Sequence, residues 1–196
     1  MTPKEIFDLL QEEFGEDVVF DFHPGGPDPD DAKAPVDKDP WFQVEPYSIE
    51  EVGTKLKTDK RFHFDYLECI TGIDFPDDEQ IHVVYHLYSY AKKHRIVIKC
   101  LLDREDPALP TLCDVWRTAN WQERECFDLL GVLFDGHPDL RRLLLPDDWE
   151  GHPLRKDFEE ADDYHGIPTI RPNPVELFAI KLPDKNAKDE SKEAEA

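Results

Sequence analysis

Ile81-His82-Val83-Val84-Tyr85-His86-Leu87-Tyr88 and Arg95-Ile96-Val97-Ile98-Lys99-Cys100-Leu101-Leu102 decide the fold class of this 196-residue chain. In the first run Ile81, Val83, Tyr85 and Leu87 share one side, because successive side chains of an extended strand point to opposite faces. In the second, Ile96, Ile98, Cys100 and Leu102 do the same, and the link through Lys92 and Lys93 is short and polar. Two such runs pair as antiparallel neighbours. Outward from them, Leu67 to Asp74 alternates weakly, and Val18 to Phe22 and Trp41 to Glu45 are short strand candidates rich in β-branched or aromatic residues. The expectation is an antiparallel or mixed sheet of about five strands.

Helix signals flank these strands. Thr2-Pro3-Lys4-Glu5 combines an N-cap, a proline at the first helical position and a capping-box glutamate, and opens a helix to about Phe14. Ser48-Ile49-Glu50-Glu51 opens a second, to about Lys57. Thr111-Leu112-Cys113-Asp114 opens a third, from about Leu112 to Leu130, with Gly131 as its stop. Strands in a run with helices before and after, and no βαβ alternation, make this an α+β domain. On the third helix one apolar stripe collects Leu112, Val115, Trp116, Ala119, Cys126, Phe127 and Leu130, with Glu123 out of place among them. Such a carboxylate either has a partner or belongs to a helix start, and Asn120-Trp121-Gln122-Glu123 reads as a capping box that restarts the helix after a break near Thr118 to Ala119.

Three regions follow from the same patterns. Residues 1–131 form the α+β domain, with a mobile acidic insert at 23–40 that holds five prolines and five aspartates and almost nothing apolar. Residues 132–183 carry seven prolines and form an extended segment that orders on a partner. Residues 184–196 are a disordered charged tail.

A formal charge of −22, from 45 acidic residues against 23 lysines and arginines, repels phosphate backbones and anionic lipid headgroups. Direct nucleic-acid binding is therefore excluded as an expectation. No stretch approaches the ~20 apolar residues of a membrane span, and Met1 to Phe7 has no secretory pattern, so the chain is expected to stay where it is made. Cys69, Cys100, Cys113 and Cys126 match no metal or redox spacing and read as buried thiols. His82 and His86, four apart on a strand, lie ~13 Å from each other, too far to share a zinc ion.

The outward face of the third helix holds Asp114, Arg117, Trp121, Arg124, Glu125 and Asp128. An indole among charges reads as a partner surface, and Arg124 and Asp128 stand at the i, i+4 spacing of an ion pair. Glu123-Arg124-Glu125, Asp128-Leu129-Leu130, His137, Arg141 and Leu143-Leu144, at their mutual spacings, resemble the signature of the thirty-kilodalton subunit of respiratory complex I, the NADH-quinone oxidoreductase. Asn120-Trp121, Gly131-Val132, Gly136 to Arg142 and Glu150 to Asp157 are similar to that family as well. The likeness is dense from Pro107 to Phe158 and absent in the insert and the tail.

The resemblance implies a non-catalytic scaffold subunit of the peripheral arm of a proton-translocating NADH:quinone oxidoreductase, on the cytoplasmic side of the inner membrane. It implies packing against the larger subunit that helps form the quinone site, and contact with other peripheral-arm subunits. It implies no catalytic residue, metal or cofactor on this chain, with FMN and iron–sulfur clusters held by partner subunits. The candidate interface residues are Trp121, Arg124, Glu125, Asp128, His137, Arg141, Arg142, Trp149, His152, Arg155 and Lys156. Related subunits also occur in membrane-bound nickel–iron hydrogenases and other quinone-reducing dehydrogenases, and a stand-alone hydrolase or metalloenzyme built on the carboxylates and histidines is the third reading.

Overall fold

In a computed structural model, which describes residues 1–26 and 39–169, helix α1 (Pro3–Phe14) begins at the expected capping box. The Thr2 hydroxyl accepts the Glu5 amide at 3.3 Å, and the Glu5 carboxylate accepts the Thr2 amide at 2.8 Å. Strands β1 (Val19–His23) and β2 (Trp41–Val44) follow, then helix α2 (Ile49–Thr58). Ser48 precedes α2 but its side chain does not cap it; instead a 3-10 turn at Pro46–Ser48 leads in, and the Glu45 carboxylate accepts the Ser48 amide at 3.0 Å. The cap therefore lies one turn earlier than the sequence pattern places it.

Three ten-residue strands come next: β3 (Tyr66–Phe75), β4 (Gln80–Ser89) and β5 (His94–Asp103). With β1 and β2 they form one five-stranded sheet in the order β1-β2-β5-β4-β3. The β2–β5 pair is parallel and the others are antiparallel, so the sheet is mixed. The weak alternation of Leu67 to Asp74 has a geometric cause: the register of β3 shifts between Leu67 and Cys69, which reverses the side-chain phase within the strand. Helix α3 is Ala119–Leu130, shorter than one of the two alternatives in the sequence and in agreement with the break near Thr118. Gly131 ends it in the left-handed region at φ 79°.

All three helices share a core with one face of the sheet. Ile6, Phe7 and Leu10 of α1, Ile49, Val52 and Leu56 of α2, and Ala119, Cys126 and Leu130 of α3 pack with Ile81, Val83, Tyr85, Leu87, Ile96, Ile98, Cys100 and Leu102. Gly72 on β3 permits the close approach of α3, since a Cβ there would lie 2.2 Å from Leu130 Cδ1.

Past α3 the chain departs from the expected boundary at residue 131. Val132 and Phe134 are buried in the same core, and a strand at Leu133–Asp135 (β7) pairs in parallel with one at Ala108–Pro110 (β6). The compact unit runs from Met1 to Phe158. Apolar content alone misjudges this stretch, because residues 139–158 are attached largely through hydrogen bonds to α3 and to Asp74. A second unit begins at Glu159 and contains a small hairpin of β8 (Asp163–Tyr164) and β9 (Ile167–Pro168). Most of the acidic insert (27–38), the end of the extended segment (170–183) and the charged tail (184–196) lie outside the described residues.

Candidate functional site

The family-like signature folds around α3, whose two buried carboxylates, Glu123 and Asp128, have no solvent exposure. Glu123 reaches back across the break before the helix. It accepts the Thr111 hydroxyl at 2.5 Å, the Leu112 amide at 2.7 Å and the Cys113 thiol at 3.4 Å. It is thus the partnered carboxylate of the two alternatives, and the Asn120 capping box is not formed. Burial raises its pKa, against the bonds from Thr111, Leu112 and Cys113.

Asp128 sits in a nest of donors. One oxygen accepts the amides of Leu143, Leu144 and Leu145 at 3.0, 2.7 and 2.9 Å, and the other accepts the Arg142 guanidinium at 2.9 Å. Burial would raise its pKa, but the Leu145 and Leu144 amides, Arg142 and the Leu143 amide outweigh it and hold the carboxyl below the usual range. Arg142 continues to the carbonyls of Trp149 and Gly151 at 2.9 and 3.2 Å. Arg124 donates to the carbonyls of Arg141 and Arg142, both at 3.1 Å.

The helix C-terminus is tied in the same way. Its last carbonyls have no partner within the helix, and here residues 152–155 supply donors. His152 Nδ1 lies 3.0 Å from the Asp128 carbonyl, the Leu154 amide 3.0 Å from that of Leu129, and Arg155 Nε 2.7 Å from that of Leu130. Another buried carboxylate, Asp74 on β3, accepts Arg104 at 2.7 and 3.1 Å and the Lys156 amide at 2.7 Å. Arg104 also pairs with Asp157 at 2.5 Å, and its guanidinium lowers the Asp74 pKa. Asp74 and Arg104 escape the sequence reading, while Thr111 enters it only as a helix cap and Asp157 only within the family-like run; for Asp74 the available signal is an aspartate in an inward register of a strand.

Cys113, Glu123 and His137 bring one metal-type donor each within 4.8 Å of one another. All three are already engaged. His137 Nε2 donates to the Asn120 carbonyl at 3.1 Å while Nδ1 accepts the Asp139 amide at 3.0 Å, an arrangement that fits the neutral ring. Burial pushes the Cys113 thiol up to about 12, away from the thiolate that binds metals. Hydrogen bonds to Thr111, Leu112, Asn120 and Asp139, and between Cys113 and Glu123, already occupy these donor atoms.

The candidate interface residues therefore divide. Trp121, 61% exposed, Glu125, Arg141 and Lys156 face outward. Arg124 and Asp128 do not: they are buried, and the i, i+4 pair between them is replaced by separate bonds to the segment after β7. The cause is that this segment folds back over the helix face that the helical wheel leaves to solvent. His137, Arg142, Trp149, His152 and Arg155 are half-buried. Beside Trp121, a groove between α3 and β3 is lined by Ile70, Gly72, Gln122, Glu125, Leu129 and Leu154. Along it α3 satisfies part of the free edge of β3: Gln122 accepts the Ile70 amide at 2.8 Å.

Comparison with known proteins places this architecture. Residues 42–164 match the family described as respiratory-chain NADH dehydrogenase, 30 Kd subunit. An NADH-quinone oxidoreductase subunit of Chlorobium phaeobacteroides is 38% identical over 82% of this chain and 91% of its own length. The corresponding NADH-quinone oxidoreductase subunit of Chloroherpeton thalassium is 42% identical over 65% of this chain and 54% of its own, greater length. Among solved structures, the membrane-bound sulfane sulfur reductase, an archaeal respiratory membrane complex, contains a polypeptide that shares the fold at a TM-score of 0.60 and 24% identity, over 80% of this chain and 85% of the other. The segment from β2 to β8, with its signature wound about α3, belongs to the respiratory-chain NADH dehydrogenase 30 Kd subunit family, and so does the chain.

Proposed function

We propose that the chain is a non-catalytic scaffold subunit in the peripheral arm of a proton-translocating NADH:quinone oxidoreductase, with the larger quinone-site subunit as its principal partner. In that assembly electrons pass from NADH through FMN and iron–sulfur centres of other subunits to quinone. This chain carries no cofactor or metal in this reading, and meets the cytoplasmic side of the membrane only through the complex. No helix among the described residues is long and apolar enough to cross a bilayer.

One observation carries the reading. The buried ionisable groups of the signature, Glu123, Arg124 and Asp128, bond to the backbone or side chains of the same chain, which supports reading the signature as a structural device that shapes a surface. What it presents outward is Trp121, with Leu144 at 64% and Leu154 at 54% exposure, the kind of apolar anchor set that interfaces use.

The test is purification of the tagged full chain from its host in mild detergent. The quinone-site subunit and an NADH-oxidising flavoprotein should co-purify, whereas the isolated chain should show neither flavin fluorescence, nor iron–sulfur absorbance, nor stoichiometric metal. Trp121→Ala should lower recovery of the complex about tenfold while shifting the Tm of the free chain by less than about 2 °C. A metal or flavin retained by the isolated chain, or an undiminished complex with a destabilised free chain, would contradict the proposal.

A further inference from the structure

Trp121 stands on the first turn of α3 with 61% of its surface exposed, while Arg124, one turn further on, is 6% exposed. Side chains of a helix lean toward its N-terminus, so a long residue three positions after an indole lies across it. Here the guanidinium carbon of Arg124 sits over the Trp121 ring, 5.1 Å from its centre, within the reach of a cation–π contact.

The cation is held from its other side. Nε donates to the Arg141 carbonyl and Nη2 to the Arg142 carbonyl, both at 3.1 Å, and two such bonds fix the plane of the guanidinium where one would let it swing. The chain that supplies these carbonyls is itself fixed, since one oxygen of Asp128 accepts the amides of Leu143, Leu144 and Leu145. Asp128 pairs with Arg142 at 2.9 Å, so the carboxylate four residues on does not draw Arg124 away from the ring.

We infer that Arg124 is a positioning residue for assembly: buried itself, it holds the exposed Trp121 indole in the orientation that the partner subunit meets, and ties that orientation to the fold of residues 141–145. An exposed indole that turns freely loses that freedom when a partner closes on it. One already held does not, and for a single large side chain the difference is about three- to tenfold in affinity. Arginine suits this task and lysine does not, because an ammonium has no flat face to lay on the ring and no planar fork to span two carbonyls. The inference rests on the reading of Trp121 as an interface anchor, and adds the group that prepares it.

The test makes Arg124→Lys in the wild-type full chain and in Trp121→Ala, and follows recovery of the detergent-purified assembly. Recovery should fall about fivefold in the wild-type background and by less than about 1.5-fold where the indole is absent, the non-additivity of residues that act as a unit. An arginine with a purely structural role would cost the same in both. In the isolated chain labelled with 5-fluorotryptophan, Arg124→Lys should move the Trp121 fluorine resonance while those of Trp41 and Trp116 stay in place. Equal losses in the two backgrounds, no loss in the wild-type background, or an unmoved Trp121 resonance would each overturn the inference. If Trp121→Ala lowers recovery but the two changes simply add, this inference fails alone; if Trp121→Ala leaves recovery unchanged, the anchor reading fails and this inference with it.

Discussion

Asp128 and Glu123 stand five residues apart on one helix, both out of contact with solvent, and they respond to pH in opposite senses. The Asp128 pKa is lowered in the folded chain, so its contribution is complete above the unfolded value of about 3.9 and is lost as pH falls through the lower folded value. The Glu123 pKa is raised, so stability declines as pH rises from its unfolded value of about 4.3 through the folded one. Asp128→Ala strands Arg142 and three amides, and is expected to cost on the order of 3 kcal/mol at neutral pH and to flatten the acid limb. Glu123→Gln keeps an acceptor for the Leu112 amide and should cost only about 1 kcal/mol, while removing the decline above pH ~4. Urea denaturation from about pH 3 to 8 checks both; equal losses at neutral pH would mean that the two carboxylates are held alike. That Glu123 is unusual can be read from its place in an apolar stripe. Its partners cannot, because Thr111 and Leu112 reach it only when the chain turns at residues 112–118 instead of continuing the helix.

At the scale of elements, the two ends of α3 differ in legibility for a physical reason. Its stop is local: Gly131 adopts a φ of 79° that other residues adopt at a cost, and such a glycine after an apolar run is visible in sequence. Its start is not local, since the N-cap Thr118 makes no side-chain cap and the first turn is positioned by the buried Glu123. The β4–β5 hairpin is legible throughout because each strand alternates without interruption, whereas the register shift in β3 hides half of its pattern. Gly131 also lies under the returning chain: an added Cβ would sit 2.7 Å from His152 Nε2 and 3.1 Å from Arg155 Nη2. Gly131→Ala is therefore expected to destabilise by about 2 kcal/mol, more than the left-handed backbone alone costs. It should also speed exchange of the Leu154 amide, which bonds to the Leu129 carbonyl, before it affects β4 or β5. Uniform acceleration of all amides would show instead that the turn and the sheet open together.

For the whole molecule, the lesson concerns where a domain ends. Prolines and sparse apolar residues after Gly131 suggest a segment without a core, and by hydrophobic burial alone that judgement is sound for residues 139–158. What holds them is polar: Asp128 gathers three successive amides and Arg142, Arg124 holds two carbonyls, and Asp74 with Arg104 fixes Lys156 and Asp157. Buried, satisfied hydrogen bonds of this kind act cooperatively, and their partners are far apart in sequence, which is why no local pattern announces them. The segment should consequently open as one unit and do so without a partner present. In the isolated chain the amides of Leu143, Leu144, Leu145 and Leu154 are expected to exchange as slowly as those of α3, and limited proteolysis should spare residues 132–158. Arg142→Ala removes the donor that joins Asp128 to the Trp149 and Gly151 carbonyls, so protection should be lost together across residues 141–158 while the amides of β4 and β5 keep theirs. If wild-type residues 141–158 exchange freely in the isolated chain and become protected only in the assembled enzyme, the segment takes its order from a partner, and the bonds to Asp128 form upon assembly.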